Sequence, residues 1–470
     1  MLDTLKSLTE YILLGYFIYI LLTGVILFSF SPQTGSLASD LINPWIKETT
    51  EKAVLIEDRA EALKVRLDLM NEAEETLDIA YYSMQGGETV DLFYAHILQA
   101  ADRGVKVRFL ADGLFHNMRF GHRDVIRLFT EHPNIELSFY EPLDLIRPWT
   151  WHNRLHDKFM IADQSTALMG GRNIGDKYFA PDQYQGVSND RDLLLLGQSQ
   201  NETPIIGQMQ TYFDFLWSHD YTEQQTDRRL NAVEKKRAQR IKTKIMATYQ
   251  DYFDTNQDFF TESIDWEERS HEINGGFIAH NSVERLFKQP QVWWQLLELF
   301  AEAEEQVVIQ SPYIIPSRLM REDMKQFELD LNQGLILTNG LAATPNIIAH
   351  SGYRNHREGL AQTYFDLYEY QDDNQSLHMK SIVIDQQVTI VGSFNLDPRS
   401  VYLNTESMLI IDSPTLSQEI IATIEEEYLP ESLLIEETDH VREMNKYVSV
   451  LKKMLVLILR PLTRLVEFLL

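Results

Sequence analysis

Apolar and polar positions along this chain follow two rhythms, and the second half repeats the order of the first. A helical stretch at 60–75 leads into a strand-like run at 76–83, and 293–305 leads likewise into 306–313. The letters match at the junction: Glu72-Ala73-Glu74-Glu75 precedes one strand, Glu302-Ala303-Glu304-Glu305 the other. Residues 92–103 then read as a helix and 105–111 as the next strand. Strands alternating with helices predict an α/β sandwich. An order shared by both halves predicts two copies of one unit.

The ends follow other patterns. Residues 11–30 are uncharged and rich in Leu, Ile, Phe and Tyr, about the ~20 residues that a helix needs to cross a bilayer. The run is too long for a typical signal-peptide core, so a retained anchor is expected. Lys6 is offset by Asp3 and Glu10, so the charges do not fix the membrane face. Residues 31–45 carry Pro and Gly turn signals and read as a linker. Residues 222–250, with Arg228, Arg229, Lys235, Lys236, Arg237, Arg240 and Lys242, read as a charged, solvated helix bridging the halves. At the far end, Val450, Leu451, Met454, Leu455, Leu457 and Ile458 lie among Lys452, Lys453, Arg460 and Arg464. That is the composition of an amphipathic helix for an anionic bilayer surface, with a break or kink expected at Pro461. The alternative is a helix docked on the protein's own acidic face. The resulting division is an anchor and linker (1–45), a first repeat (46–221), a connector (222–275), a second repeat (276–440) and a basic tail (441–470).

The duplication carries chemistry. Residues 156–163 read HDKFMIAD and 378–385 read HMKSIVID, each a His-x-Lys with an Asp five residues after the lysine. Seven residues beyond each Asp comes a turn of small residues with an Asn: Gly170-Gly171-Arg172-Asn173 and Gly392-Ser393-Phe394-Asn395. His156 and His378, Lys158 and Lys380, Asp163 and Asp385, and Asn173 and Asn395 all share one offset of 222. The apolar run after Lys158 predicts a buried strand, and residues two apart on a strand share a face. An imidazole beside an ammonium can hold a phosphate while the ring attacks or shuttles a proton. Amide donors from Asn173 and Asn395, and the Ser393 hydroxyl, suit phosphoryl oxygens. Gly171 stands where the first half would need the matching serine. Two such sets supply a nucleophile and a general acid on opposite sides of one phosphorus.

Composition narrows the partners. A formal charge of −28 over 470 residues argues against non-specific nucleic-acid binding. The tail has a local charge of +4, which leaves −32 on the other 440 residues. There is no cysteine, hence no disulfide framework and no thiolate metal site. No metal-ligand motif is present, and neither metal nor cofactor is expected, since two lysines already supply positive charge.

These motifs resemble the phospholipase D superfamily, whose hallmark is a duplicated HxKxxxxD. The runs NRLHDKFMIAD…GGRNIGDKYF and GSFNLDPRSVYLNTE look like its bacterial cardiolipin synthase branch, over roughly 55–435. The resemblance implies two pseudo-symmetric α/β sandwich repeats packed face to face, with one active site at their interface. It implies a phosphohistidine intermediate, with His156 favoured as nucleophile, and demotes Asp163 and Asp385 to structural partners near the strand ends. Each His needs an acid to set its tautomer. Glu406 matches that role in the second half; Asp192 is the first-half candidate, with Asp190 its rival. Asp397 and Arg399 are expected to brace the turn behind Asn395, while Trp149, Trp151 and Tyr178 are assigned either to a lipid entrance or to the core. The implied activity is phosphatidyl transfer in a membrane, from phosphatidylglycerol to an alcohol such as a second phospholipid. A hydrolase with water as acceptor and an inactive scaffold are the alternatives, and the sequence leaves a homo-oligomer open.

Overall fold

A computed structural model of the chain describes residues 2–30, 45–118, 123–197, 203–225, 229–286, 288–326, 334–435 and 448–470. The expected linker lies outside these apart from Trp45, as do Arg228, Arg442 and Lys446.

Two sheets of matching topology form the body. In the first, Thr76–Tyr81, Lys106–Asp112 and Ile135–Tyr140 run parallel. An antiparallel ladder of Lys158–Ala162, Thr166–Gly170 and Asp192–Leu196 continues it. In the second, Val307–Gln310, Gly334–Asn339 and Phe365–Tyr370 are the parallel strands, continued by Ser381–Ile384, Val388–Gly392 and Ser407–Asp412. The inner strands are apolar because both their faces are covered. One core lies between the sheets, where Phe159, Met169 and Leu193 meet Val383, Val391 and Leu409. Separate cores lie under the outer helices of each sheet. A short parallel ladder, Val187–Asn189 with Gln375–Leu377, stitches the halves together. The expected face-to-face pair of α/β repeats is therefore what the chain forms.

Each motif Asp occupies a hairpin. Asp163-Gln164 and Asp385-Gln386 all have φ between 51° and 56°, the left-handed pair found at the centre of a type I′ turn, here within the three-residue loops 163–165 and 385–387. The Asp163 carboxylate accepts from the backbone N–H groups of Glu74, Glu75 and Thr76 at 2.8 Å. Asp385 does the same for Glu304, Glu305 and Gln306. The repeated Glu-Ala-Glu-Glu and the repeated Asp are thus one device that locks the helix-to-strand junction onto the hairpin.

Three expectations about outer segments need correction. The charged helix is Ala232–Thr255 and is not merely solvated. Ala238 and Ile245 pack into the first core, while Lys244 and Lys235 reach Asp91 and Glu131. One apolar stripe with bases on the other side gives it a buried face. Pro461 does not end the tail helix, which runs over Val450–Leu465. Asn355 donates to the Arg460 carbonyl and pairs with Thr463, so packing holds the chain on both sides of the proline. The tail also docks on the second repeat while keeping Leu451, Leu457, Ile458 and Leu465 exposed, so the two readings of it do not exclude each other.

Candidate active site

Both motif histidines lie where the halves meet, and each is held by the other half. The His156 N–H donates to the Thr405 carbonyl and the His378 N–H to the Asn189 carbonyl. The next residue on each partner strand supplies the acid: His156 Nδ1 lies 2.9 Å from Glu406 Oε2, and His378 Nδ1 lies 2.5 Å from Asp190 Oδ2. Both carboxylates are fully buried. With Nδ1–H committed to a carboxylate, Nε2 is left with the lone pair that attack or proton transfer needs.

This geometry corrects two assignments. Glu406 orients the first-half histidine, not the second. Asp192 orients neither. It sits between Arg66 and Arg172, at 3.0 and 2.7 Å, with all three side chains almost wholly buried. Asp190, the rival, faces a histidine. The usable signal was register: Asp190 precedes Leu193 by three residues, as Glu406 precedes Leu409, at the head of equivalent apolar strands.

Each lysine comes two residues after its histidine, where the chain enters the strands Lys158–Ala162 and Ser381–Ile384, and folds back to donate to that histidine's own carbonyl. Lys380 Nζ is also 2.9 Å from His378 Nδ1, and Lys158 lies over the Tyr82 ring. Burial pushes Lys158 down to about 7 against the pull of Glu406, and Lys380 down to about 8 against Asp190 and Glu406. Burial lowers His156 well below its ordinary value and His378 to about 3, so both rings are neutral at pH 7. The acids part ways. Burial raises Glu406 to about 7, whereas for Asp190 the neighbouring Lys380 and His378 outweigh burial and hold it well below the usual carboxylate range.

Ser393 does not open toward a phosphate. Its hydroxyl donates to Glu406 Oε2 at 2.5 Å and accepts from Ser407 N–H. Gly171 takes the matching place because a Cβ there would lie 2.2 Å from Asp190 Oδ1. Asn173 and Asn395 are buried, their amides directed to Tyr178 Oη and Ser400 Oγ. Among the described residues their carbonyl oxygens have no partner, and each amide keeps a second N–H that can meet an incoming oxyanion. Asp397 caps Ser400 N–H, as the bracing role requires. Tyr178 is buried in the first repeat's core and also edges the site, its ring 5.3 Å from that of His378. Trp151 donates to the Asp144 carbonyl in the neighbouring loop. Two participants have no motif signal: Tyr82, edge-on to His156, and Asp157, between His and Lys, which accepts from Tyr212 and Thr405. Among the described residues no cluster of His, Asp and Glu could hold a metal ion.

Known proteins agree with this architecture. The family model described as "Cardiolipin synthase, PLD-like domain" matches residues 67–217 and 296–428. The chain is 29% identical to cardiolipin synthase C of Escherichia coli K12 over 407 residues, covering 77% of this chain and 82% of that one. It is 28% identical to an uncharacterized protein of Helicobacter pylori 26695 over 425 residues, 83% and 82% of the two chains. The crystal structure of phosphatidylserine synthase from Haemophilus influenzae superposes with a TM-score of 0.64 at 16% identity, over 91% of this chain and 97% of that one, which shows the shared fold. The chain belongs to the cardiolipin synthase family of phospholipase D-like enzymes and is a phospholipid phosphatidyltransferase.

Proposed function

We propose that the chain is a membrane-anchored cardiolipin synthase-type enzyme moving a phosphatidyl group through a phosphohistidine. One Nε2 attacks phosphorus and the P–O bond to the donor headgroup breaks; the other histidine, protonated on Nε2 once the anionic phosphodiester lies beside it, delivers that proton to the departing alkoxide. That second ring then takes the proton of the incoming alcohol, whose oxygen displaces the histidine from phosphorus. Lys158 and Lys380 offset the charge on the phosphoryl oxygens throughout. The observation that carries this reading is the crossed support, in which each histidine depends on a carboxylate from the opposite repeat. Neither half is complete alone, and both motifs are intact, which disfavours an inactive scaffold. His156 is the preferred nucleophile. Its acid, raised by burial, shares a proton more readily than the firmly ionised Asp190.

Phosphatidylglycerol is taken as the donor and a second phospholipid as the acceptor, a reading supported by similarity to a cardiolipin synthase of Escherichia coli. The helix Leu2–Gly24 and its continuation provide a segment, 6–29, long and apolar enough to cross a membrane. The test is thin-layer separation of products after incubating membranes that carry the chain with labelled phosphatidylglycerol. Cardiolipin should form with the wild type and with neither His156→Ala nor His378→Ala. Near-wild-type rates in either variant overturn the two-histidine mechanism, and phosphatidic acid as sole product favours the hydrolase.

A further inference from the structure

The two repeats differ in one layer that their shared fold does not force. Under the outer helices of the second sheet lies an apolar cavity of about 190 Å³, above the ~150 Å³ of an engineered void that binds benzene. In the first repeat the same layer is filled by rings. Phe129 packs on Tyr94 and Phe109 with centroids 5.5 and 6.3 Å apart. The register identifies their counterparts. Ile79 pairs with Phe109 as Ile309 pairs with Ile336. Tyr94 corresponds to Met324 by the same offset that relates 72–75 to 302–305. In the helix before the last parallel strand the same offset puts Gly359 where the first repeat has Phe129, with Leu360 beside it. Two rings have become slimmer side chains, Met324 and Ile336, and the third a glycine, whose neighbour Leu360 joins them on the cavity wall.

The cavity is tied to the catalytic turn at one end. Its wall includes Leu396, which follows Asn395, and Ile314, bridged to Leu396. Toward the other end of the sheet it reaches Tyr364, which is 78% exposed. Its Leu360 wall is one helical turn from His356, whose ring is 2.7 Å from Glu467 at the end of the apolar tail helix. A void with this lining stays dry and costs stability unless something apolar fills it.

We propose that this cavity receives one acyl chain of the phospholipid on which the enzyme acts, a proposal that rests on the phosphatidyl-transfer reading. The headgroup phosphate is held by the histidine–lysine sets, and the chain passes behind Leu396 into the helix layer of the second repeat. Such a slot would make the enzyme sensitive to the length of that chain.

The experiment refills the layer with the first repeat's own residues, Met324→Tyr with Ile336→Phe, in the full chain. Thermal melting reports whether the variant folds. Turnover is compared on a long-chain phosphatidylglycerol in vesicles and on a soluble short-chain one. The folded variant should lose about tenfold or more on the long-chain lipid, the scale of a misfit in a hydrophobic pocket, and keep its rate on the short one. Equal rates on both, relative to wild type, overturn the proposal. A second measurement needs neither a folded variant nor turnover. Phosphatidylglycerol with a diazirine at the end of one acyl chain should label wild-type peptides containing Met320, Met324 or Leu360. Labelling confined to other peptides, or cavity labelling by a diazirine fatty acid but not by the phospholipid, overturns it. Cavity labelling by a wild type that turns over neither lipid supports the cavity and sinks the transfer reading instead.

Discussion

At the scale of single residues, Asp190 and Asp192 separate two kinds of buried carboxylate. Asp190→Asn keeps the shape but removes the charge that fixes the His378 tautomer. Turnover should fall roughly 10³–10⁴-fold, as when the orienting acid of a hydrolase triad is neutralised, with little loss of melting temperature. A small effect on rate would mean that Asp190 is structural. The lysines set a pH limb. Because burial brings Lys158 to about 7 and Lys380 to about 8, both are charged below those values and lose their protons as pH rises through them. The rate constant kcat/KM should therefore decline on the alkaline side, and Lys380→Arg, which cannot deprotonate, should shift or flatten that decline. An identical alkaline limb in the arginine variant would remove Lys380 from the titration. The histidines, lysines and asparagines were legible in the sequence because a fixed offset marks them. The acids were harder, because they come from the strand of the other repeat. Only the sheet register shows that 190, and not 192, aligns with 406. Ser393 was misread for a related reason: its partner, Glu406, is thirteen residues away along the chain.

At the scale of elements, the sequence foretold the opening helix and strand of both repeats, and the next helix and strand of the first, to within a few residues, because inner strands buried on both faces are almost purely apolar. Periodicity does not show what replaces what between the repeats. The Arg66–Asp192–Arg172 cluster fills buried positions where the second repeat has Leu296, Met408 and Phe394. Charges and apolar groups are thus alternative solutions to one packing problem. Removing one partner strands the others, so Asp192→Asn alone should cost about 3–5 kcal/mol. The combined change Arg66→Leu, Asp192→Met and Arg172→Phe, copying the second repeat, should be close to neutral. Chemical denaturation of both variants in detergent measures this. If the triple variant is the less stable of the two, the cluster has a role that packing does not capture.

At the scale of the whole molecule, the question is how an acidic body is held against lipid. The exposed large apolar side chains gather mainly on the N-terminal helix, the loop with Leu143, Leu145 and Ile146, and the tail helix. These parts touch. Tyr16 and Tyr19 donate to the carbonyls of Leu145 and Ile146, and His152 lies 2.6 Å from the Gly24 carbonyl. The 3₁₀ turn Ile26–Ser29 meets Glu467–Leu469. A helix crossing the bilayer in this pose would bring Leu145 and Ile146 into it, fixing the orientation of the cleft as well as its distance. The tail adds bases, each contributing about 1 kcal/mol near an anionic surface. Deleting 441–470 is a poor test of that role, because the Arg399 side chain donates to the Leu469 carbonyl and its backbone N–H to that of Leu470. Truncation would loosen the catalytic turn itself and lower turnover even of a soluble substrate. Changing only the outward face separates the two effects. Leu451→Asp with Leu457→Asp changes two exposed side chains and leaves the hydrogen bonds that dock the tail in place, so short-chain turnover should persist while turnover on anionic vesicles falls. The fall should deepen with added salt as the remaining basic attraction is screened. Unchanged rates on vesicles would show that the N-terminal helix and its loop orient the enzyme alone, with the tail serving to brace Arg399.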